Sequence, residues 1–100
     1  MAIEVHQTTT YARWFARLRD ERAKARIMAR VRRLALGNIG DARSVGAGVS
    51  ELRIDYGPGY RIYFAWHGAA LVLLLTGGDK SRQWVDIAKA RELAAQWKGE

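Results

Sequence analysis

A chain of 100 residues is long enough for one packed domain and too short for a second core with its own linker, so residues 1–100 are expected to form a single domain. Its 49% hydrophobic content and single proline exclude a disordered segment, and the absence of cysteine excludes a disulfide framework and a thiolate zinc site. The formal charge of +7, with 17 Lys and Arg against 10 Asp and Glu, suits either a polyanionic partner or a merely solubilising basic surface.

Thirteen of the cations are arginines, whose planar guanidinium donates two parallel hydrogen bonds to a phosphate. His6 and His67 are the only imidazoles, and no metal or cofactor is expected. No basic leader with an apolar core opens the sequence, and Ala69 to Leu75 is too short to cross a bilayer, so the expected location is the cytoplasm.

Along the chain, Ile3 and Val5 alternate with Glu4 and His6, a short strand over Ala2 to His6. One of Thr8, Thr9 and Thr10 can cap the helix that follows, where Tyr11, Trp14, Phe15 and Leu18 share one face. After Asp20-Glu21 a second helix sets Ile27, Val31 and Leu34 inward and stops near Gly37. The two helices read as a hairpin. Arg22, Arg26, Arg30 and Arg33 form a neighbouring stripe that is either a solvated or partner-binding face, the commoner outcome, or an RNA contact.

Asn38 to Gly48 shows no period and reads as a loop. Alternation then predicts a hairpin, with Leu52, Ile54 and Tyr56 before the break Gly57-Pro58-Gly59, and Tyr60, Ile62, Phe64 and Trp66 after it. If the turn closes on those three residues, Ile54 faces Ile62, Asp55 faces Arg61 and Arg53 faces Tyr63. A turn at His67-Gly68 leads to Leu71 through Leu75, whose unbroken apolarity implies a central strand covered on both faces. Thr76-Gly77-Gly78 ends it, and a last helix runs from about Val85 past Ala88, Leu93, Ala94 and Trp97, with Gly99 beyond its end.

One sheet face is thus expected to be polar and cationic, and the bend from Gly77 to Gln83 can bring Lys80, Ser81, Arg82 and Gln83 to it. The competing reading is an ordinary Asp55–Arg61 ion pair and a solvated loop. Tyr60 and Trp66 fall on the apolar face, whereas Tyr63 lies among the cations and can stack on a base. Trp84 is assigned to neither role, and both histidines read as surface residues. Gly77-Gly78-Asp79-Lys80-Ser81 lacks the upstream glycine of a nucleotide-binding loop, and Ser44, Ser50 and Ser81 lack a nucleophile-elbow pattern.

The run from Glu51 through Phe64, reading Glu-Leu-Arg-Ile-Asp-Tyr-Gly-Pro-Gly-Tyr-Arg-Ile-Tyr-Phe, followed by Gly77-Gly78-Asp79-Lys80-Ser81 and a closing helix, resembles the addiction-module killer proteins. These form the HigB-like branch of the RelE/ParE toxin superfamily. The resemblance implies an α+β, RelE-like fold of order β-α-α-β-β-β-α, an antiparallel sheet with the helical hairpin on one face and a cationic cleft on the other. It implies the toxin of a type II toxin–antitoxin system, a metal-independent endoribonuclease cutting messenger RNA on the ribosome through attack of the ribose 2′-hydroxyl on its own phosphate.

By the same resemblance Arg61 contacts the scissile phosphate, Arg53 is the basic residue on the adjacent strand, and Lys80 neutralises the transition state or protonates the leaving oxygen. Arg82, Tyr63, Ser81 and Gln83 are the expected further RNA contacts. Asp86 stands in the region where several relatives carry a Tyr or His acid or base, and Arg82 where close relatives carry a small hydroxyl residue. Two other functions are compatible with the fold: a ParE-like inhibitor of DNA gyrase and a non-catalytic RNA-binding module. The expected partners are the ribosome, messenger RNA and an antitoxin of helix-turn-helix type that covers the cleft or clamps the helices.

Overall fold

The computed structural model describes residues 3–97, so Ala2 and Gly99 of the expected elements lie outside the described residues. The elements run β1 (Glu4–Gln7), α1 (Thr9–Arg17), α2 (Glu21–Ala35), β2 (Ala42–Gly46), β3 (Val49–Ile54), β4 (Tyr60–His67), β5 (Leu71–Gly78), a 3-10 turn (Lys80–Arg82) and α3 (Gln83–Gln96). Five strands form one sheet in the order β1-β5-β4-β3-β2. The architecture is α+β, as expected, with all neighbours antiparallel except β1 and β5, which run parallel with Val5 beside Val72.

Both helices of the hairpin start on side-chain caps. The Thr8 hydroxyl accepts from the Tyr11 amide and donates to the Leu75 carbonyl at 2.6 Å, which ties the start of α1 to β5. The Asp20 carboxylate accepts from the Arg22 and Ala23 amides, and Gly37, at φ +88°, lies just past the end of α2. The inward face of this hairpin, with Tyr11, Ile27 and Leu34 buried, covers Leu52, Ile54, Ile62, Phe64, Val72 and Leu74 of the sheet. On the other face Ile87 and Ala90 of α3 pack on Val49, Tyr63, Ala65, Leu73 and Leu75. β5 therefore contributes to both cores, as its apolar run implied.

Three expectations are corrected. The stretch taken for a loop contains β2, an edge strand paired to β3 and bulged between Ser44 and Gly46. Its side chains are mostly solvated, so it carries no hydrophobic period, and its backbone hydrogen bonds alone define it. The β3–β4 hairpin closes over residues 55–59 rather than on Gly57-Pro58-Gly59 alone, which sets Leu52 opposite Ile62, Ile54 opposite Tyr60 and Arg53 opposite Arg61. A slip of two positions leaves every side chain on its expected face but replaces the Asp55–Arg61 pair with two facing cations. Finally, Gly77 and Gly78 belong to β5, and α3 begins at Gln83 rather than near Val85.

The two strand glycines are required by close approach. A Cβ on Gly77 would sit 2.3 Å from the Trp14 ring, and one on Gly78 would sit 1.9 Å from Asp86 Oδ2. Trp66, expected inside, is 37% exposed near the end of β4. No helix among the described residues is long and apolar enough to cross a membrane.

Candidate functional site

Arg53 and Arg61 are direct partners across the β3–β4 ladder, so their side chains leave the same face of the sheet. The 3-10 turn brings in Lys80, whose amide donates to the Pro58 carbonyl at 3.4 Å and docks the turn on the hairpin loop. Gly59, at φ +79°, lies under both: a Cβ there would be 3.3 Å from Arg61 Nη1 and 3.5 Å from Lys80 Cβ. Arg53, Arg61 and Lys80 thus line one open cleft of about 440 Å³, floored by Gly57, Pro58 and Gly59 and shared with Asp41 and Asp55. The sequence motifs pointed to the three cations, and Asp55 was expected beside Arg61 on this face; Asp41 was not anticipated there.

Facing guanidiniums repel, and each is held by acceptors. Arg53 Nη2 lies 3.4 Å from Asp41 Oδ1. Arg61 Nη1 donates to the Gly59 and Tyr60 carbonyls at 3.0 and 3.3 Å, and its Nε lies 3.8 Å from Glu51 Oε1. The Nε atoms of Arg53 and Arg61 are both buried without a hydrogen-bond partner among the described residues.

Glu51 is the residue that sequence reasoning missed. It is fully buried, and it accepts from Arg43 Nε at 3.2 Å, Gln83 Nε2 at 2.8 Å and the Tyr63 hydroxyl at 3.2 Å. The available signal was its parity: Val49, Glu51 and Arg53 alternate on one face of β3, opposite Ala65, Tyr63 and Arg61 of β4. An acid at that position stands among cations and must be paired to be buried.

Its partners correct two site expectations. Tyr63 is 0% exposed in the core beneath α3, so it offers no ring face to a base. Burial foremost, and then the adjacent Glu51 carboxylate, push its hydroxyl far above the ordinary phenol range. Gln83 spends its amide on Glu51 and ties the first residue of α3 to β3. The expected cationic face is therefore divided, with α3 covering its apolar part and the cleft occupying the rest. Ser81 is exposed and donates from its hydroxyl to Asp79, the cap of the 3-10 turn. Arg82 lines a different cleft, together with Trp14, Tyr60 and Asp86. Trp84 is 85% exposed on α3 beside Arg43 and Arg91.

The helix arginines split. Arg22, Arg26 and Arg33 are exposed, and Arg26 lies over the Tyr56 ring at 4.6 Å. Arg30 is half-buried and donates to the Arg53 carbonyl at 2.6 Å and the Asp41 carbonyl at 3.5 Å, so it braces the rim of the cleft from behind. Both histidines sit far from Lys80. His6 and His67 contact Trp97 at the other end of α3, a helix of 14 residues and so about 20 Å long. Among the described residues, no three His, Asp or Glu side chains gather as a metal site.

Comparison with known proteins adds a family to this geometry. The fold is similar to a chain of the toxin-antitoxin complex RelBE2 from Mycobacterium tuberculosis, with a TM-score of 0.54 and 22% identity over 80% of this chain and 100% of that one. At that identity the likeness establishes a shared, RelE-like fold. An uncharacterized protein of Haemophilus influenzae (strain ATCC 51907 / DSM 11121 / KW20 / Rd) is 49% identical over 96 residues, covering 96% of this chain and 97% of its own. The model of the phage-derived Gp49-like proteins matches residues 13–96, which hold the second half of α1, all of α2, strands β2 to β5 and all of α3. The chain belongs to the phage-derived Gp49-like family.

Proposed function

We propose that this protein is the toxin of a type II toxin–antitoxin system and cuts messenger RNA on the ribosome in the cytoplasm without a metal. The observation that carries the reading is one cleft lined by Arg53, Arg61 and Lys80 from three separate segments. A phosphodiester there meets cations from several directions, which favours the extra negative charge of a pentavalent transition state over the ground state. Arg61 is already oriented by two carbonyls and by Glu51, so little rearrangement is needed when charge develops. Arg53 holds the phosphate, and Lys80, on the exposed turn, reaches the leaving 5′-oxygen. The ribose 2′-hydroxyl is the nucleophile, and Asp55, the carboxylate of the cleft that Arg53 does not hold, is available to take its proton. The likeness to a toxin-antitoxin complex supports a cognate antitoxin; that this partner is of helix-turn-helix type is part of the proposal, and the two sequence motifs favour the HigB-like branch.

A second reading, an RNA-binding module without chemistry, is favoured by one observation: both histidines lie away from the cleft and Asp41 is engaged by Arg53. The experiment is induction of the protein in cells, with mapping of messenger RNA 5′ ends. Cleavage predicts new ends within translated codons that disappear in Arg61→Ala and Lys80→Ala. Ribosome binding with intact transcripts selects the binding module. Arrested growth with intact transcripts, no ribosome binding and inhibited gyrase supercoiling overturns both in favour of gyrase inhibition.

A further inference from the structure

A second cleft, of about 380 Å³, adjoins the first across the crossing of the hairpin and the 3-10 turn. Gly59 and Lys80 line the cationic side, whereas their chain neighbours Tyr60 and Asp79 line this one. Its size falls in the ~300–1,000 Å³ range of small-molecule clefts. Its wall is aromatic: the Trp14 indole lies against bare Gly77, and Tyr60 stands edge-on to it at 6.4 Å. Arg82 supplies a cation at its edge, and Asp86 a carboxyl pressed on bare Gly78.

That carboxyl has no assigned work. Asp86 makes no hydrogen bond among the described residues, and its Oδ2 is buried without a partner. A buried polar atom left so costs stability, and Asp86 also lines the cleft, so a ligand entering there can supply its carboxyl with a partner. Burial foremost raises the pKa of Asp86, with Asp79 adding to the rise and Arg82 opposing it.

We propose that this second cleft is a nucleobase subsite in which Asp86 accepts a hydrogen bond from the exocyclic amino group of adenine, cytosine or guanine, while Arg82 holds the adjoining phosphate. The inference rests on the nucleic-acid reading of the neighbouring cleft and adds base selectivity to it. Uracil has no amino group, and its one base donor, the ring N3–H, lies between two carbonyl oxygens that would be brought against the carboxyl. Sites built to hydrogen-bond a ligand discriminate against ligands that lack the donor.

The test is fluorescence anisotropy of the full chain with short 2′-O-methyl oligoribonucleotides, which resist self-cleavage, of adenine, cytosine or uracil alone. One hydrogen bond of about 1.4 kcal/mol corresponds to an about tenfold preference for adenine or cytosine over uracil. Asp86→Ala should erase that preference and leave uracil binding unchanged, whereas Arg82→Gln should weaken all three alike. Replacing adenine with purine, which lacks the amino group, should lower wild-type affinity by the same about tenfold and requires no variant to fold. RNA binding with equal affinity for all bases, or a preference that survives Asp86→Ala, overturns the base subsite while sparing the phosphate cleft. No binding of any oligonucleotide, with or without ribosomes present, overturns both.

Discussion

Glu51→Ala tests whether the buried carboxylate organises the site. The substitution removes the acceptor for the Tyr63 hydroxyl and the Gln83 amide, and the counter-charge 3.8 Å from Arg61 Nε. Arg43 is 53% exposed, so its bond to Glu51 is screened and adds little. Two hydrogen bonds to a charged group at about 1.5–3 kcal/mol each give about 3–6 kcal/mol, and removing one side of a buried pair typically costs about 3–5 kcal/mol, so about 4 kcal/mol is expected. At about 5 °C per kcal/mol for a domain of this size, Tm falls by about 20 °C. Thermal unfolding followed by circular dichroism measures it. Glu51→Gln, which keeps the volume and one acceptor, should lose about half as much. The partners make a double-mutant cycle possible: Tyr63→Phe in the Glu51→Ala background should cost less than Tyr63→Phe alone, because its hydroxyl has already lost its acceptor. A Tm within a few degrees of wild type for Glu51→Ala would refute the idea that Glu51 anchors this face.

Two further outcomes follow from the strand glycines and their neighbours. Gly77→Ala places a Cβ 2.3 Å from the Trp14 ring, so the indole must shift; overpacking of this kind costs about 1–3 kcal/mol, read as a lower denaturant midpoint with an unchanged m-value. Because the pKa of Asp86 is raised in the fold, the native state holds that proton more tightly than the unfolded chain. Its contribution to stability is therefore fully present below the ordinary carboxyl value of 3.8 and declines as pH rises through the raised folded value. Asp86→Asn should match wild type in acid and exceed it in Tm at neutral pH; parallel Tm–pH profiles would contradict the assignment.

Most of the frame was legible in the residues because local signals agreed with one another. The spacing of Tyr11, Trp14, Phe15 and Leu18, a capping threonine among Thr8 to Thr10, and the stop at Gly37 specify the helical hairpin without tertiary information. Alternation around Glu51 to Phe64 assigned each side chain its face, and that assignment survived a hairpin register two residues away from the expected one. The cations Arg53, Arg61 and Lys80 were identified by motif, and they line one cleft.

Tertiary structure decided what each polar group touches. Periodicity assigns a face but does not say what lies over it, so Tyr63 read as a free ring until α3 covered it and Glu51 took its hydroxyl. The mostly solvated edge strand β2 has no hydrophobic period to detect, and the roles of Gly77 and Gly78 depend on Trp14 and Asp86, distant in sequence but pressed on the same strand. Burial and pairing depend on contacts between remote segments, and these separated Arg30 from its exposed neighbours and Asp86 from an ordinary surface acid.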